Sequence, residues 1–166
     1  MMEKLDKYWD EQHLKYNSTY DGWLNKYTNL FEKSDVIIEL GCGRAYCSNY
    51  LLKNGFYHVV ACDFSEEVLK IVTTENSNLK TMLFDMSLGL PFKNNSINAI
   101  VADLSLHYFS SSTTKYILDE IYRVLKNNGY LIGRVNSTKD KFHIPNNAQK
   151  LEKNFYYDGN IYKKFF

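Results

Sequence analysis

Along the middle of the chain, short apolar runs rich in β-branched residues alternate with helical patterns. That alternation restricts the fold more than any other feature. VIIEL (36–40), HVVACD (58–63), residues 79–84, SINAIVADLSL (96–106) and YLIGRVN (130–136) read as strands. Their centres are apolar without a polar alternate, as expected of strands covered on both faces. Helices are expected over 45–54, closed by Asn54-Gly55, and from an N-capping Ser65 onward, with Glu66 and Glu67 in the first turn. Another is expected over 113–127, where Tyr116, Ile117, Ile121, Val124 and Leu125 share a face and Asn128-Gly129 stops it. Such repetition builds an α/β sheet from right-handed parallel crossovers. Residues 3–33 are expected to be helical with an aromatic face, broken at Asn17-Ser18 and Asp21-Gly22. Residues 137–153 are polar and irregular, and NFYYDGNIYKKFF (154–166) reads as a β-hairpin around Asp158-Gly159.

A length of 166 residues suits one domain. Lys and Arg number 20 against 19 Asp and Glu, and the net charge of +1 argues against a dedicated nucleic-acid binder. No apolar run approaches the roughly 20 residues that span a bilayer, and MMEKLDKYWDEQ lacks the apolar stretch of a signal peptide. No membrane association is expected. Cys42, Cys47 and Cys62 are odd in number, with no CxxC pair and no zinc-type spacing. No metal is expected, and a reducing cytoplasm is the expected location.

Chemistry concentrates at the ends of the first three strands. The first runs into Gly41-Cys42-Gly43, whose glycines let the backbone turn sharply and approach a ligand at a helix start. A dinucleotide fingerprint would place a third glycine at 46, which is Tyr46. Glu39, just before the turn, suits a positive amino group better than a pyrophosphate. Asp63 ends the second strand, where a carboxylate accepts both hydroxyls of a ribose. Asp85-Met86 ends the third: the acid can take an exocyclic amine and Met86 can pack on a purine ring. Together these describe a pocket for an adenosine with a charged amino-acid tail.

ELGCGRA (39–45), ACDFS (61–65), FDM (84–86), INAIVADLSLHYF (97–109) and YRVLKNNGYLIGRVN (122–136) resemble the successive motifs of class I S-adenosylmethionine-dependent methyltransferases. Order and spacing match over residues 36–136. The resemblance implies a Rossmann-like three-layer sandwich around a mostly parallel sheet of order 3-2-1-4-5. It implies direct in-line methyl transfer from S-adenosyl-L-methionine, leaving S-adenosyl-L-homocysteine, with no metal. It places Gly41 and Gly43 against the methionine part and Glu39 on its amino group; Cys42 is expected to face the site only because the turn puts it there. Asp63 would take the ribose hydroxyls and Phe64 pack near the adenine. Asp85 would meet the adenine amine and Met86 its ring, with Asp103 and Leu104 beside the methionyl chain. Two positions depart from the family pattern: Ala45 replaces a frequent third glycine, and Asn98 a frequent acid, where a structural role is expected.

His107, just past the fourth strand, is the candidate catalytic residue, either as a general base or as a packed histidine that shapes the pocket. The aromatic N-terminal face (Trp9, Tyr16, Tyr20, Trp23) is core in the simplest reading and a lid over the cofactor by resemblance. The chain divides into a helical cap (1–33), a cofactor-binding core (36–136) and a final irregular segment with a hairpin (137–166). The family fold carries two further strands after the fifth, so the chain reads as shortened, with a sheet edge that a homodimer would cover. No motif for an exocyclic amine of DNA or RNA follows the fourth strand. A small-molecule acceptor is expected first and a protein side chain second. The alternative is a non-catalytic S-adenosylmethionine-binding module, or a subunit completed by a partner.

Overall fold

The structure, a computed structural model, describes residues 2–15, 19–139 and 148–166. Five strands form one parallel sheet in the order β3-β2-β1-β4-β5. They are β1 (Val36–Leu40), β2 (His58–Asp63), β3 (Lys80–Leu83), β4 (Ile97–Asp103) and β5 (Leu125–Arg134). This is the expected order, and helices cover both faces. Ile37, Ala61, Ala99 and Val101 pack on one side with Leu51 of α2 (Tyr46–Lys53) and Val68 and Val72 of α3 (Glu66–Glu75). Ile38, Leu40, Cys62, Ile100 and Ala102 pack on the other with Ile117, Ile121 and Val124 of α4 (Ser111–Val124). Successive residues of a strand point to opposite faces, so filling both faces requires the uninterrupted apolar runs seen in the sequence. Each fully buried Ile or Leu stabilises by about 1.5–3 kcal/mol relative to exposure. That packing fixes where the strands end, and the strand ends carry the site.

Three boundaries differ from expectation. The last long helix runs Ser111–Val124 rather than 113–127. Ser110 caps it early, its Oγ accepting from Thr113 N at 3.2 Å, and Leu125 is already extended and paired with Ile97. Asn128-Gly129 therefore does not end a helix. It lies within β5 at a register irregularity, with Asn128 at φ +65°. A Cβ at Gly129 would lie 3.0 Å from the carbonyl oxygens of Asn98 and Lys126. The fourth apolar run outlasts its strand: β4 stops at Asp103, and Leu104 at φ +53° turns the chain into a 3-10 turn, Leu106–Tyr108.

The C-terminal aromatic segment forms three antiparallel strands, not a two-stranded hairpin. β6 (Gln149–Glu152) arises from the stretch read as irregular and pairs with β7 (Phe155–Tyr157), which pairs with β8 (Tyr162–Lys164). Glu152 Oε2 accepts from Ser111 N and Oγ at the start of α4, and Lys164 Nζ donates to Ser111 Oγ at 2.6 Å. This sheet packs against the turn after β4 through β8.

At the N-terminus the helical segment divides into α1 (Met2–Lys15) and a 3-10 segment, Trp23–Leu30, entered through Gly22 at φ +78°. The expected break at Asn17-Ser18, the aromatic Tyr16 and most of the polar stretch after residue 139 lie outside the described residues. No helix among the described residues is long and apolar enough to cross a membrane.

Candidate cofactor site

The turn after β1 is built around the absence of a side chain. Ser105 Oγ donates to Leu40 O at 2.7 Å and ties the turn after β4 to the end of β1. Gly41 lies under that tie at φ +62°, and a Cβ there would sit 2.5 Å from Ser105 Cβ and 3.3 Å from Met86 Cε. Only glycine fits. Gly43 (φ +50°) and Ala45 (φ +55°) continue the left-handed path into α2. Ala45 stands where the family often has glycine, and its Cβ costs on the order of 1 kcal/mol in that conformation. Cys42 is buried within the turn, its amide donating to Cys62 O at 2.9 Å, and burial pushes its thiol up.

Glu39 points inward at 2% exposure. Its Oε2 accepts from Ser48 N at 2.8 Å and from Ser48 Oγ at 2.5 Å, which fills the first turn of α2. Burial pushes its carboxyl up to about 7; the Ser48 hydrogen bonds oppose the shift and Asp103 adds to it. A carboxyl group already seated at the Ser48 amide disfavours a pyrophosphate at this helix start.

Asp63 and Asp85 are held by backbone amides. Asp63 is 5% exposed; its Oδ2 accepts from Gly43 N at 2.9 Å and its Oδ1 from Ser65 N at 3.0 Å. It thus clasps the glycine turn from the neighbouring strand. Asp85 Oδ1 accepts from Ser87 N at 2.8 Å. Phe64 is half-buried, and Met86 is buried with its terminal methyl toward Gly41.

Asp103 is held by side chains. Arg134 faces it in register on β5 and donates Nε to Oδ1 at 2.7 Å and Nη2 to Oδ2 at 2.8 Å. Trp23 Nε1 donates to Oδ2 at 2.9 Å, and Cys47 Sγ lies 3.8 Å from the same oxygen. Leu104, the next residue, is half exposed.

His107 is 2% exposed, and its Nδ1 has no hydrogen-bond partner among the described residues. Burial, with Lys163 adding to it, lowers its pKa to about 4. Its ring packs 4.1 Å from Tyr108, which meets Trp9 of α1 edge-on at 4.8 Å. On the other side of β1, Asp10 Oδ1 accepts from Ser65 Oγ at 2.6 Å. α1 therefore reaches from the turn after β2 to the turn after β4, past the glycine turn between them.

The structure gathers Gly41, Cys42, Gly43, Asp63, Phe64, Asp85, Met86, Asp103, Leu104 and His107 at one end of the sheet, with Glu39 beneath. Sequence reasoning missed Arg134, Ser105 and Ser48. Arg134 carried no signal: it ends the edge strand β5, most of which is exposed, and its register partner Asp103 is known only from the pairing.

The Methyltransferase domain family matches residues 38–133, more than half of the chain. The chain belongs to that family, the class I S-adenosylmethionine-dependent methyltransferases. The methyltransferase domain is 33% identical over 98 residues to the mitochondrial arginine-hydroxylase NDUFAF5 of Homo sapiens, covering 59% of this chain and 28% of that protein. It is 31% identical over 98 residues to the probable tRNA methyltransferase 9B of Homo sapiens, covering 58% of this chain and 20% of that protein. The chain thus spans less than a third of the length of these curated relatives. The fold is shared with Haemonchus contortus phosphoethanolamine N-methyltransferase 1, solved with phosphoethanolamine and S-adenosylhomocysteine. The TM-score is 0.76 at 16% identity, over 99% of this chain and 38% of that one.

Proposed function

We propose that the chain binds S-adenosyl-L-methionine at the carboxyl ends of β1 to β4 and transfers its methyl group to a small-molecule acceptor. The observation that carries this reading is Asp63, a nearly buried carboxylate pinned by the amides of Gly43 and Ser65 beside a turn with no room for a side chain at Gly41. The donor set fits the cofactor. A carboxylate ends β2 where a ribose would lie, Asp85 and Met86 follow β3 where a purine would lie, and the glycine turn offers bare backbone to the methionyl part. Bound S-adenosylmethionine supplies an electrophilic methyl on sulfur, open to in-line displacement by an acceptor lone pair. The protein aligns and excludes water. Gly41, Cys42 and Gly43 shape the floor, Asp63 fixes the ribose, and Phe64, Asp85 and Met86 hold the adenine. Glu39 favours a positive amino group through its charge rather than by contact. Asp103 acts through the groups it holds, and Leu104 faces the methionyl chain.

His107 fits the pocket-shaping reading better than the general base. A base is most effective with a pKa near the working pH, and burial holds this imidazole neutral well below that. A net charge of +1 favours a small molecule over nucleic acid, and three free buried cysteines suit a reducing compartment such as the cytoplasm. A second reading, a binding subunit completed by a partner or a second copy, draws on β5. That strand is the sheet edge, with Tyr130 and Leu131 exposed.

Thermal unfolding with and without S-adenosylmethionine or S-adenosylhomocysteine tests the proposal. At a hundredfold excess over Kd, binding adds about 2.7 kcal/mol. The expected result is an upward shift of Tm that Asp63→Ala abolishes. A folded sample with no shift overturns it.

A further inference from the structure

Asp103 is expected, by family resemblance, to lie beside the methionyl chain, yet most of its acceptor capacity is spent within the protein. Three N–H groups converge on its two oxygens, two of them from the Arg134 fork and one from Trp23. A carboxylate offers about four acceptor positions, so little is left for a ligand. Arg134 does more than neutralise this acid. Its Nη1 donates to Asp21 Oδ2 at 2.5 Å, and its guanidinium stacks 4.8 Å over the Trp23 ring. Its carbonyl accepts from Leu104 N at 3.0 Å. Leu104 has φ +53°, a conformation that a bulky residue holds only where its surroundings impose it. The Arg134 side chain thus grips Asp103 and stacks on Trp23, while its backbone carbonyl, as any residue's would, holds the amide of the strained residue after Asp103.

We propose that Arg134 is a positioning residue for the methyl donor: through Asp103 and Trp23 its side chain sets the turn after β4 against the amino-acid tail of the cofactor. The inference rests on the S-adenosylmethionine reading above. It places Arg134 on the tail side of the site only. The adenosine side is built by Asp63 and Asp85, which Arg134 does not touch.

Calorimetric titration with two probes separates the sides. S-adenosylhomocysteine carries the tail and adenosine lacks it. Arg134→Gln removes the fork and the charge, and is expected to weaken S-adenosylhomocysteine roughly tenfold while leaving adenosine within about twofold. Arg134→Lys keeps a point charge without the fork and is expected to lose part of the same selectivity. It also serves as the probe if the glutamine variant does not fold. A merely structural role would weaken both ligands together, and that result overturns the inference, as does unchanged binding of both. If the unaltered protein binds neither probe, the cofactor reading fails first and the inference falls with it.

Discussion

The two halves of the site hold their carboxylates by different means. On the β2 and β3 side, Asp63 and Asp85 are fixed by backbone amides, two of them only two residues along the chain. On the β4 side, Asp103 is fixed by side chains 31 and 80 residues away. A carboxylate held by its own turn keeps its geometry as long as the strand ends where it does. One held by distant side chains keeps it only while separate elements stay docked. The first half is a preformed cradle, and the second ties the N-terminal segment and β5 to the place where a methyl group would be passed.

The largest expected effect breaks the cradle. Gly41→Ala forces a Cβ into Ser105 at a left-handed backbone position and is expected to cost about 3 kcal/mol or more in urea unfolding. Binding of S-adenosylhomocysteine should be lost as well. A variant that keeps full stability would show the turn to be freer than its geometry says.

Two buried groups then give the halves opposite pH signatures. Glu39, under the cradle, is pushed up from 4.5 to about 7, so its share of stability is full below pH 4.5 and is lost as pH rises through 7. His107, on the other side, is pushed down from 6.5 to about 4, so its share is full above pH 6.5 and is lost as pH falls through 4. Each shift corresponds to about 3 kcal/mol at most, and in the native chain the two largely offset between pH 4.5 and 6.5. Relative to the native protein, Glu39→Gln is expected to gain stability as pH rises through that window, and His107→Gln to gain it as pH falls. Stability against pH for both variants, by denaturant midpoint, checks the signs. Parallel curves would contradict them.

How much of this was legible in the sequence follows the same division. The strands and the cradle acids could be read because each depends on local pattern: an apolar run, a glycine turn, an acid at a strand end; the strand order came only with the family resemblance. The Asn128-Gly129 pair was misplaced because the same two residues serve a helix end or a strand bulge, and only the pairing of Leu125 with Ile97 decides between them. β6 was missed because Gln149–Glu152 has no apolar alternation; β7 pairing and the Glu152 hold on Ser111 make it a strand. The Asp103 network was hidden for a stronger reason. Trp23 and Arg134 meet only once the sheet has brought β5 beside β4, and no spacing in the sequence encodes that meeting.

A smaller effect tests whether Trp23 is what docks the N-terminal segment. Trp23→Phe keeps the ring under Arg134 and removes one hydrogen bond to Asp103, an expected loss of about 1 kcal/mol. Limited proteolysis should then cut faster near residues 19–22 than in the native chain. Asp85→Asn, which alters the hydrogen bond to Ser87 N within the cradle, should leave that cleavage rate unchanged. Equal acceleration in both variants would erase the distinction between the halves.

The smallest expected effect lies at the outer rim of the same network. Asp21 meets Arg134 with its own side chain about half exposed, and the ion pair holds its carboxyl below the usual range. Water screens such a pair, and exposed pairs contribute about 0.2–1 kcal/mol. Asp103, less exposed, retains the guanidinium through two hydrogen bonds after Asp21 is neutralised. Asp21→Asn should therefore change stability by no more than about 0.5 kcal/mol and leave S-adenosylhomocysteine affinity as it was. The comparison with Arg134→Gln is then internal, since both variants remove one charge from one network. If Asp21→Asn weakens the ligand as much as Arg134→Gln does, the outer ion pair, and not the Asp103 fork, holds the turn after β4.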